Sequence, residues 1–513
     1  TVPEIKEVIQ AFGVAAARAR DAGFDGAEVL GAHGYLVAEF MSPFFNRRKD
    51  EYGGNLENRL RFPLELLQAV RRAVGDDYTI GIRISGDEMF EGGLTLDDMV
   101  GIAPILASQG KVDYINVTMG TYRSPSVVID SMYFPLGSAL YCAAAIKAVV
   151  NVPVIGRGRV LDPAQAEQVL VNNQADLVGM ARALIADPEI PNKAKHGKPE
   201  DIRTCLGCNE CAGRVNYWSP MPLRCTTNAS VSMESQPGWM ELIPAARAKK
   251  VVVIGGGPAG MEMADIAARR GHKVTLYDKG TELGGAVLIA AKAPGRDGLL
   301  EAVRYRVHML QADKVDVHLG VEMTARDIQK LGADVVVIAT GSIPLSPDVV
   351  GLDGGNAIEC RDLLTGKATA GRNVVVIAGE HHIQALTVAD YLAGQGKKVE
   401  LVCEEYYAGM HIDYLTRQAI YQRLYRQGVT LTPNSAVKEI RDNTVVVVNA
   451  MTREESVRDN IDTVVYACGG REDNALYYEL QGKVKELYQV GDCSGVKRMI
   501  DAIRSASVLA RRI

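Results

Sequence analysis

Residues 5–22 carry Ile5, Val8, Ile9, Phe12 and Ala16 at helical spacing, which predicts an amphipathic helix. After it, short apolar runs alternate with helical stretches: "GAEVLGAH", "YTIGIRIS", "YINVTMG", "PVIGRGR" and "ADLVGMAR". Strands alternating with helices build βαβ units and a parallel sheet. Chemistry-bearing residues gather at the C-terminal ends of these five strands, which is the arrangement of a (β/α)8 TIM barrel. A barrel needs eight strands and the count is three short. The chain also opens at Thr1, just ahead of a helix. The expectation is that an N-terminal segment carrying the first three strands lies outside this sequence.

The pattern changes at residues 196–248, where Cys, Pro, Trp and Gly replace any clear period. A new α/β region begins at "KKVVVIGGGPAGMEMADIAARRGHKVTLYDKG" (249–280), and a second strand–turn–helix–strand follows at "RNVVVIAGEHHIQALTVADYLAGQGKKVELV" (372–402). The closing "LYQVGDCSG" returns to the style of the first. The predicted organisation is therefore a barrel part over 1–200, a cysteine-bearing linker over 201–245, a Rossmann-like domain over 246–365 and 465–513, and a second such domain inserted at 366–464.

Composition narrows the picture a little. A chain of 513 residues is too long for one core, with a prior of about three domains. A net charge of −5 argues against nucleic acid or an anionic membrane as main partner. No apolar run approaches the ~20 residues that span a bilayer, and no signal peptide opens the sequence. Outside residues 205–225 the cysteines are scattered, unlike a secreted disulfide framework, so the protein reads as cytoplasmic.

The run "CLGCNECAGR" places Cys205, Cys208 and Cys211 three apart, with Cys225 further on. Structural zinc sites pair two separated Cys-x2-Cys knuckles, whereas three cysteines in one run plus one remote cysteine suit a [4Fe–4S] cubane. The spacing favours the cluster over zinc. Gly255, Gly257 and Gly260 follow an apolar strand and open a helix, so the backbone can approach a pyrophosphate. Asp278 ends the next strand, where an acid accepts from a ribose hydroxyl. The second turn, Gly379 to Gln384, keeps only the first glycine of this fingerprint; His381 crowds the approach and Glu380 adds negative charge. That unit is expected to keep the fold without binding NAD(P)H in the usual way.

In the barrel part, His33 and Tyr35 sit just past a strand end, on the face where barrels do chemistry. A tyrosine there can give a proton to carbon or orient a substrate, and a histidine can hydrogen-bond a carbonyl or an amine. Arg83 lies inside a strand, where an unpaired cation needs a flavin ring or an acid. "GRGR" and "GMAR" supply backbone N–H groups around Gly158 and Ala181, with Arg159 and Arg182 beside them, at the place where barrels hold a phosphate; this suits FMN.

With "GAHGYL", "NRRKDEYGGNLENR", "CLGCNEC…C" and "GGGPAG" in this order, the whole chain resembles the iron–sulfur flavoenzyme branch of the old yellow enzyme family. Relatives in that branch include trimethylamine dehydrogenase, histamine dehydrogenase, the N-methyl amino acid demethylases and 2,4-dienoyl-CoA reductase. The resemblance implies FMN in the barrel, a [4Fe–4S] cluster and FAD (or ADP) in the Rossmann-like domain, with Asp492 near the ribityl chain. Three departures bear on substrate. Leu30 stands where old yellow enzymes have a carbonyl-binding histidine and trimethylamine dehydrogenase a tyrosine. Thr121 replaces the acid of the amine dehydrogenase triad. Tyr122 stands where dienoyl-CoA reductase uses a histidine. Two activities follow. The first, ranked ahead because of the degraded second turn, is an amine or N-methyl amino acid dehydrogenase that passes electrons to an external electron-transferring flavoprotein. The second is an NAD(P)H-dependent ene reductase in which Tyr35 protonates carbon. Either is compatible with a homo-oligomer.

Overall fold

The structure, a computed structural model, describes residues 1–216 and 221–513; residues 217–220 of the predicted linker lie outside the described residues. The chain divides into two compact units, Thr1–Leu184 and Ile185–Ile513.

In the first unit five parallel strands, β1 (Gly26–Gly31), β2 (Thr79–Ser85), β3 (Tyr114–Thr118), β4 (Val154–Arg157) and β5 (Leu177–Gly179), lie in sequence order, each followed by helix. Side chains alternate between the faces of a strand, and here the alternation sorts them by chemistry. Val29, Ile80, Ile82, Ile84, Ile115, Val117 and Val154 are buried against Leu60, Leu66 and Leu67 of helix Leu56–Val74 and Met99, Ile102 and Leu106 of helix Leu96–Gly110. On the opposite face Leu30 pairs in register with Arg83, and Arg83 with Asn116. This is the layering of a βα barrel, with helices outside and a functional face within. Helix Leu96–Gly110 starts on a capping box, in which the Asp98 carboxylate accepts from the Thr95 N–H at 2.9 Å.

The second unit starts at Ile185, and within it residues 200–203 are tied to helix Leu300–Ala312. Arg304 donates to the Glu200 carbonyl at 3.3 Å, Arg203 to the Tyr305 hydroxyl at 3.0 Å, and His308 contacts Asp201 at 2.7 Å. Its first sheet is parallel: Glu486–Gln489, β9 (Val335–Ile338), β6 (Lys250–Ile254), β7 (Lys273–Asp278) and β8 (Asp316–Leu319), in that spatial order. The second sheet, also parallel, is made by chain that leaves the first sheet after β9 and returns at Glu486. It starts earlier than residue 366, because the short strand Ala357–Glu359 pairs with Thr463–Ala467 and not with the first sheet. A three-stranded antiparallel sheet, Ser435–Arg441, Thr444–Asn449 and Glu455–Arg458, is appended. Among the described residues no helix is long and apolar enough to cross a membrane.

Candidate active site

Just beyond β1 the chain turns through His33, whose φ is +62°. Its N–H donates to the Ser85 hydroxyl at 3.1 Å, and that hydroxyl donates to the Gly120 carbonyl at 2.8 Å. The ring bridges the same neighbours: Nδ1 lies 3.2 Å from the Gly120 carbonyl and Nε2 3.3 Å from the Thr118 hydroxyl. Both ring nitrogens thus face the protein, and the His33 carbonyl accepts from the Tyr122 N–H at 3.3 Å. His33 thereby joins the ends of β1, β2 and β3 and sets the positions of the two tyrosines that follow. Tyr35 and Tyr122 meet edge to face with ring centroids 5.5 Å apart, and their hydroxyls are hydrogen-bonded at 2.5 Å. Both are exposed, 45% and 56%, so the hydroxyl pair is open to a substrate.

Burial, with Arg157 and then Arg83 adding to it, lowers the His33 pKa from 6.5 to about 3, against the opposing Gly120 hydrogen bond. The folded state therefore holds a neutral imidazole while the unfolded chain takes up a proton below pH 6.5. The stability this gives is complete above about pH 6.5 and is lost progressively as pH falls toward 3. In a His33→Gln variant the decline of Tm between pH 6.5 and 4 should be shallower than in the parent. Parallel Tm–pH curves would remove His33 from the acid limb.

The face holding the tyrosines is cationic. Arg83 and Arg157 each keep a buried Nε with no hydrogen-bond partner among the described residues. Burial, followed by the charge of Arg83, lowers Arg157 from 12.5 to about 9. Arg157 also donates through Nη2 to the Val128 carbonyl at 3.1 Å, and the two remaining Nε–H donors suit an acceptor-rich ligand. Arg157 was not singled out from the sequence, although it stands in "GRGR" two residues before Arg159 and, like Arg83, inside a strand. Arg159 donates to the carbonyls of Met132, at 3.2 Å, and Phe134. Arg182 donates to the Asp130 carbonyl at 2.7 Å and to its carboxylate at 2.8 Å, and the Ser138 hydroxyl donates to the same side chain. Both arginines are thus fixed by the loop that follows β3. Gly158, between Arg157 and Arg159, has φ +126°, and a Cβ there would lie 2.7 Å from the Ala139 nitrogen. Ala181 opens the short helix Ala181–Ala186 directly after β5. Orphaned Arg83 and Arg157 donors and a side-chain-free turn at Gly158 fit an FMN-type ligand.

In the second unit the glycine turn runs from β6 into helix Pro258–Arg269. Gly255, with φ +112°, donates to the Tyr277 carbonyl at 2.8 Å. A Cβ on Gly260 would fall 1.8 Å from the Gly255 carbonyl oxygen, so no other residue fits. A Cβ on Gly257 would meet nothing within 4 Å, which marks the open side where a pyrophosphate reaches the helix N-terminus. The Asp278 carboxylate accepts from the Gly256 N–H at 2.5 Å and the Gly280 N–H at 2.6 Å. It pins the turn and retains lone pairs for a ribose hydroxyl. Asp492 accepts from the Lys497 N–H at 3.2 Å ahead of helix Met499–Ala510; burial raises its pKa. This geometry fits an FAD- or ADP-type ligand.

The second turn holds a different arrangement. The Glu380 carboxylate accepts from the N–H of His382 at 2.5 Å and of Gln384 at 2.6 Å, at the start of helix Gln384–Gly394. A carboxylate of the chain itself occupies the donors that would otherwise receive a dinucleotide phosphate. Glu380→Gly should tighten NADH or NADPH binding about fivefold, the factor expected from removing a helix cap of roughly 1 kcal/mol. Equilibrium titration of the variant measures this. Unchanged affinity would show that the side chain is not the obstacle.

The cysteine run is wound by Gly207 (φ +66°) and Asn209 (φ +57°). Cys205 is buried; Cys208, Cys211 and Cys225 are partly exposed. Cys208 lies 3.2 Å from the Thr226 hydroxyl and Cys225 3.5 Å from that of Thr227. Burial pushes the Cys208 thiol well up, and neighbouring Cys205 and Cys225 add to this. Among the described residues no group of three or more His, Cys, Asp or Glu side chains is gathered closely enough to hold a metal ion. Next to the run, Glu210 pairs with Arg498 at 2.7 Å and lies 3.8 Å from His382.

A βα-barrel face built for a flavin and a Rossmann-like unit with a dinucleotide turn together define a flavin-dependent oxidoreductase. Residues 1–201 match the family described as NADH:flavin oxidoreductase / NADH oxidase, and residues 249–506 match pyridine nucleotide-disulphide oxidoreductase. The chain is 39% identical to an NADH oxidase of Thermoanaerobacter brockii, covering 100% of this chain and 78% of that protein. It is 38% identical to an N,N-dimethylglycine/sarcosine dehydrogenase of Chromohalobacter salexigens, covering 95% and 72%. The solved structure of a 2-naphthoyl-CoA reductase with 2-naphthoyl-CoA superposes with a TM-score of 0.92 at 33% identity, over 100% of this chain and 77% of that one. The chain belongs to the NADH:flavin oxidoreductase / NADH oxidase family, in the branch that includes both ene reductases and amine dehydrogenases.

Proposed function

We propose that this chain reduces a carbon–carbon double bond conjugated to a carboxyl or carbonyl group. The observation that carries this reading is the exposed Tyr35–Tyr122 hydroxyl pair at the strand-end face. The sequence alone ranks amine oxidation first, on the strength of the second turn; a phenol pair placed to deliver a proton reverses that order.

FMN, held by Arg83, Arg157, Gly158, Arg159, Ala181 and Arg182 and reduced by two electrons from NAD(P)H or another external donor, would supply a hydride to the β-carbon. Tyr35 gives the proton to the α-carbon, so one hydride and one proton saturate the bond. The Tyr122 hydroxyl donates to the Tyr35 oxygen as that proton leaves and then returns one from solvent. Neutral His33 keeps both tyrosines in register. FAD or ADP is assigned to the Gly255–Gly260 turn with Asp278 and Asp492, and a [4Fe–4S] cluster to Cys205, Cys208, Cys211 and Cys225.

Glu380 favours a second reading. With NAD(P)H disfavoured, an N-methyl amine would be oxidised and electrons would pass to an electron-transferring flavoprotein; the dimethylglycine/sarcosine dehydrogenase relative agrees with this. Anaerobic half-reactions decide. Dithionite-reduced holoenzyme mixed with cinnamate or benzalacetone should regain its flavin absorbance, and oxidised holoenzyme mixed with N,N-dimethylglycine should not bleach. The reverse pattern would overturn the reductase and establish the dehydrogenase.

A further inference from the structure

One guanidinium in the loop that carries Tyr122 is held, among the described residues, by aromatic rings alone. Arg123 follows Tyr122, and its side chain makes no hydrogen bond or ion pair among the described residues. It is not loose: its carbon Cζ lies 4.7 Å from the Phe44 ring centroid and 5.6 Å from that of Phe90. These two rings pack edge to face with centroids 5.0 Å apart. Phe44 comes from the loop after β1 and Phe90 from the loop after β2, so three strand-end loops meet at this point.

The backbone under Arg123 is fixed as well. Its N–H donates to the Thr121 hydroxyl at 3.1 Å, and the Ser124 hydroxyl donates to the Glu88 carbonyl at 2.7 Å, joining the β3 loop to the β2 loop. A guanidinium stacked on aromatic faces keeps its edge N–H donors pointing outward in a rigid fork, the geometry that receives a carboxylate through two parallel hydrogen bonds. A second cation, Arg47, lies over Phe44 at 5.4 Å and raises the positive potential at the same mouth.

Resting on the reduction proposed above, we infer that Arg123 reads the carboxylate of the substrate, so that the natural substrate class is a free enoate with an apolar or aryl tail. Phe44 and Phe90 hold the fork in place. Arg123 is a substrate-binding residue and takes no part in proton or hydride transfer.

The test compares holoenzyme with Arg123→Gln and Arg123→Lys, using cinnamate as the charged probe and benzalacetone as its uncharged counterpart. Turnover is driven by reduced viologen, and cinnamate binding is read separately by equilibrium dialysis. Loss of a charge-assisted pair predicts that the ratio of cinnamate to benzalacetone KM rises about tenfold to a hundredfold in Arg123→Gln. Arg123→Lys should recover part of the loss, since it keeps charge without the fork. Cinnamate that binds the parent and not the Gln variant, with neither probe turned over, would support the carboxylate site and overturn the reductase reading. An unchanged KM ratio, or a parent that does not bind cinnamate, would overturn the inference and reduce Arg123 to a surface cation–π contact.

Discussion

Tyr35→Phe is expected to slow alkene reduction by about 10²- to 10⁴-fold, the range that positioned proton donors contribute. Removing one oxygen leaves the ring, and with it the edge-to-face contact with Tyr122, in place. Flavin reduction by dithionite involves no phenol and should proceed at the parental rate, so a folded, flavin-loaded variant would fail only in the oxidative half-reaction. Tyr122→Phe should do less, because it supports the donor without being it. Rapid mixing of reduced enzyme with alkene checks both. A Tyr35→Phe variant within threefold of the parent would assign the proton to solvent and leave the exposed hydroxyl pair without a role.

The second large effect concerns the cysteines. Cys208→Ala should remove iron from anaerobically purified protein, from about four atoms per chain to near none, because a cubane held by three thiolates is poorly retained. The parent should show the broad visible absorption of an iron–sulfur centre and the variant a flavin spectrum alone. Stoichiometric zinc in the parent would refute the cluster and return the run to a structural role.

Much of the barrel unit was legible because strand alternation is unambiguous there. Each of the five predicted runs became a strand, and the apolar half of the first four turned to the helices. Tyr35 and Tyr122 could be named separately, but their contact spans 87 positions and depends on the turn that His33 makes at φ +62°. Arg157 escaped notice for a related reason. Its place beside Arg83 follows from register, through Arg83 to Asn116 and Asn116 to Ile155 with Arg157 two residues on, and one-dimensional spacing does not carry register. The start of the inserted sheet was misplaced because three residues, Ala357–Glu359, are too few to show a period. Glu380 was legible as a charge that would repel a phosphate; that it would cap the helix was not.

That cap bears on how the second sheet persists. A Rossmann turn without its nucleotide leaves helix N–H groups to water and loosens. Glu380, tethered to the same turn, is present at an effective concentration that no dilution lowers, of millimolar order or more for so short a connection. Any nucleotide therefore meets a resident competitor, and its apparent affinity is scaled by the fraction of time the turn stands uncapped. The carboxylate makes the order of the turn less dependent on a bound nucleotide: its N–H groups keep an acceptor when none is present.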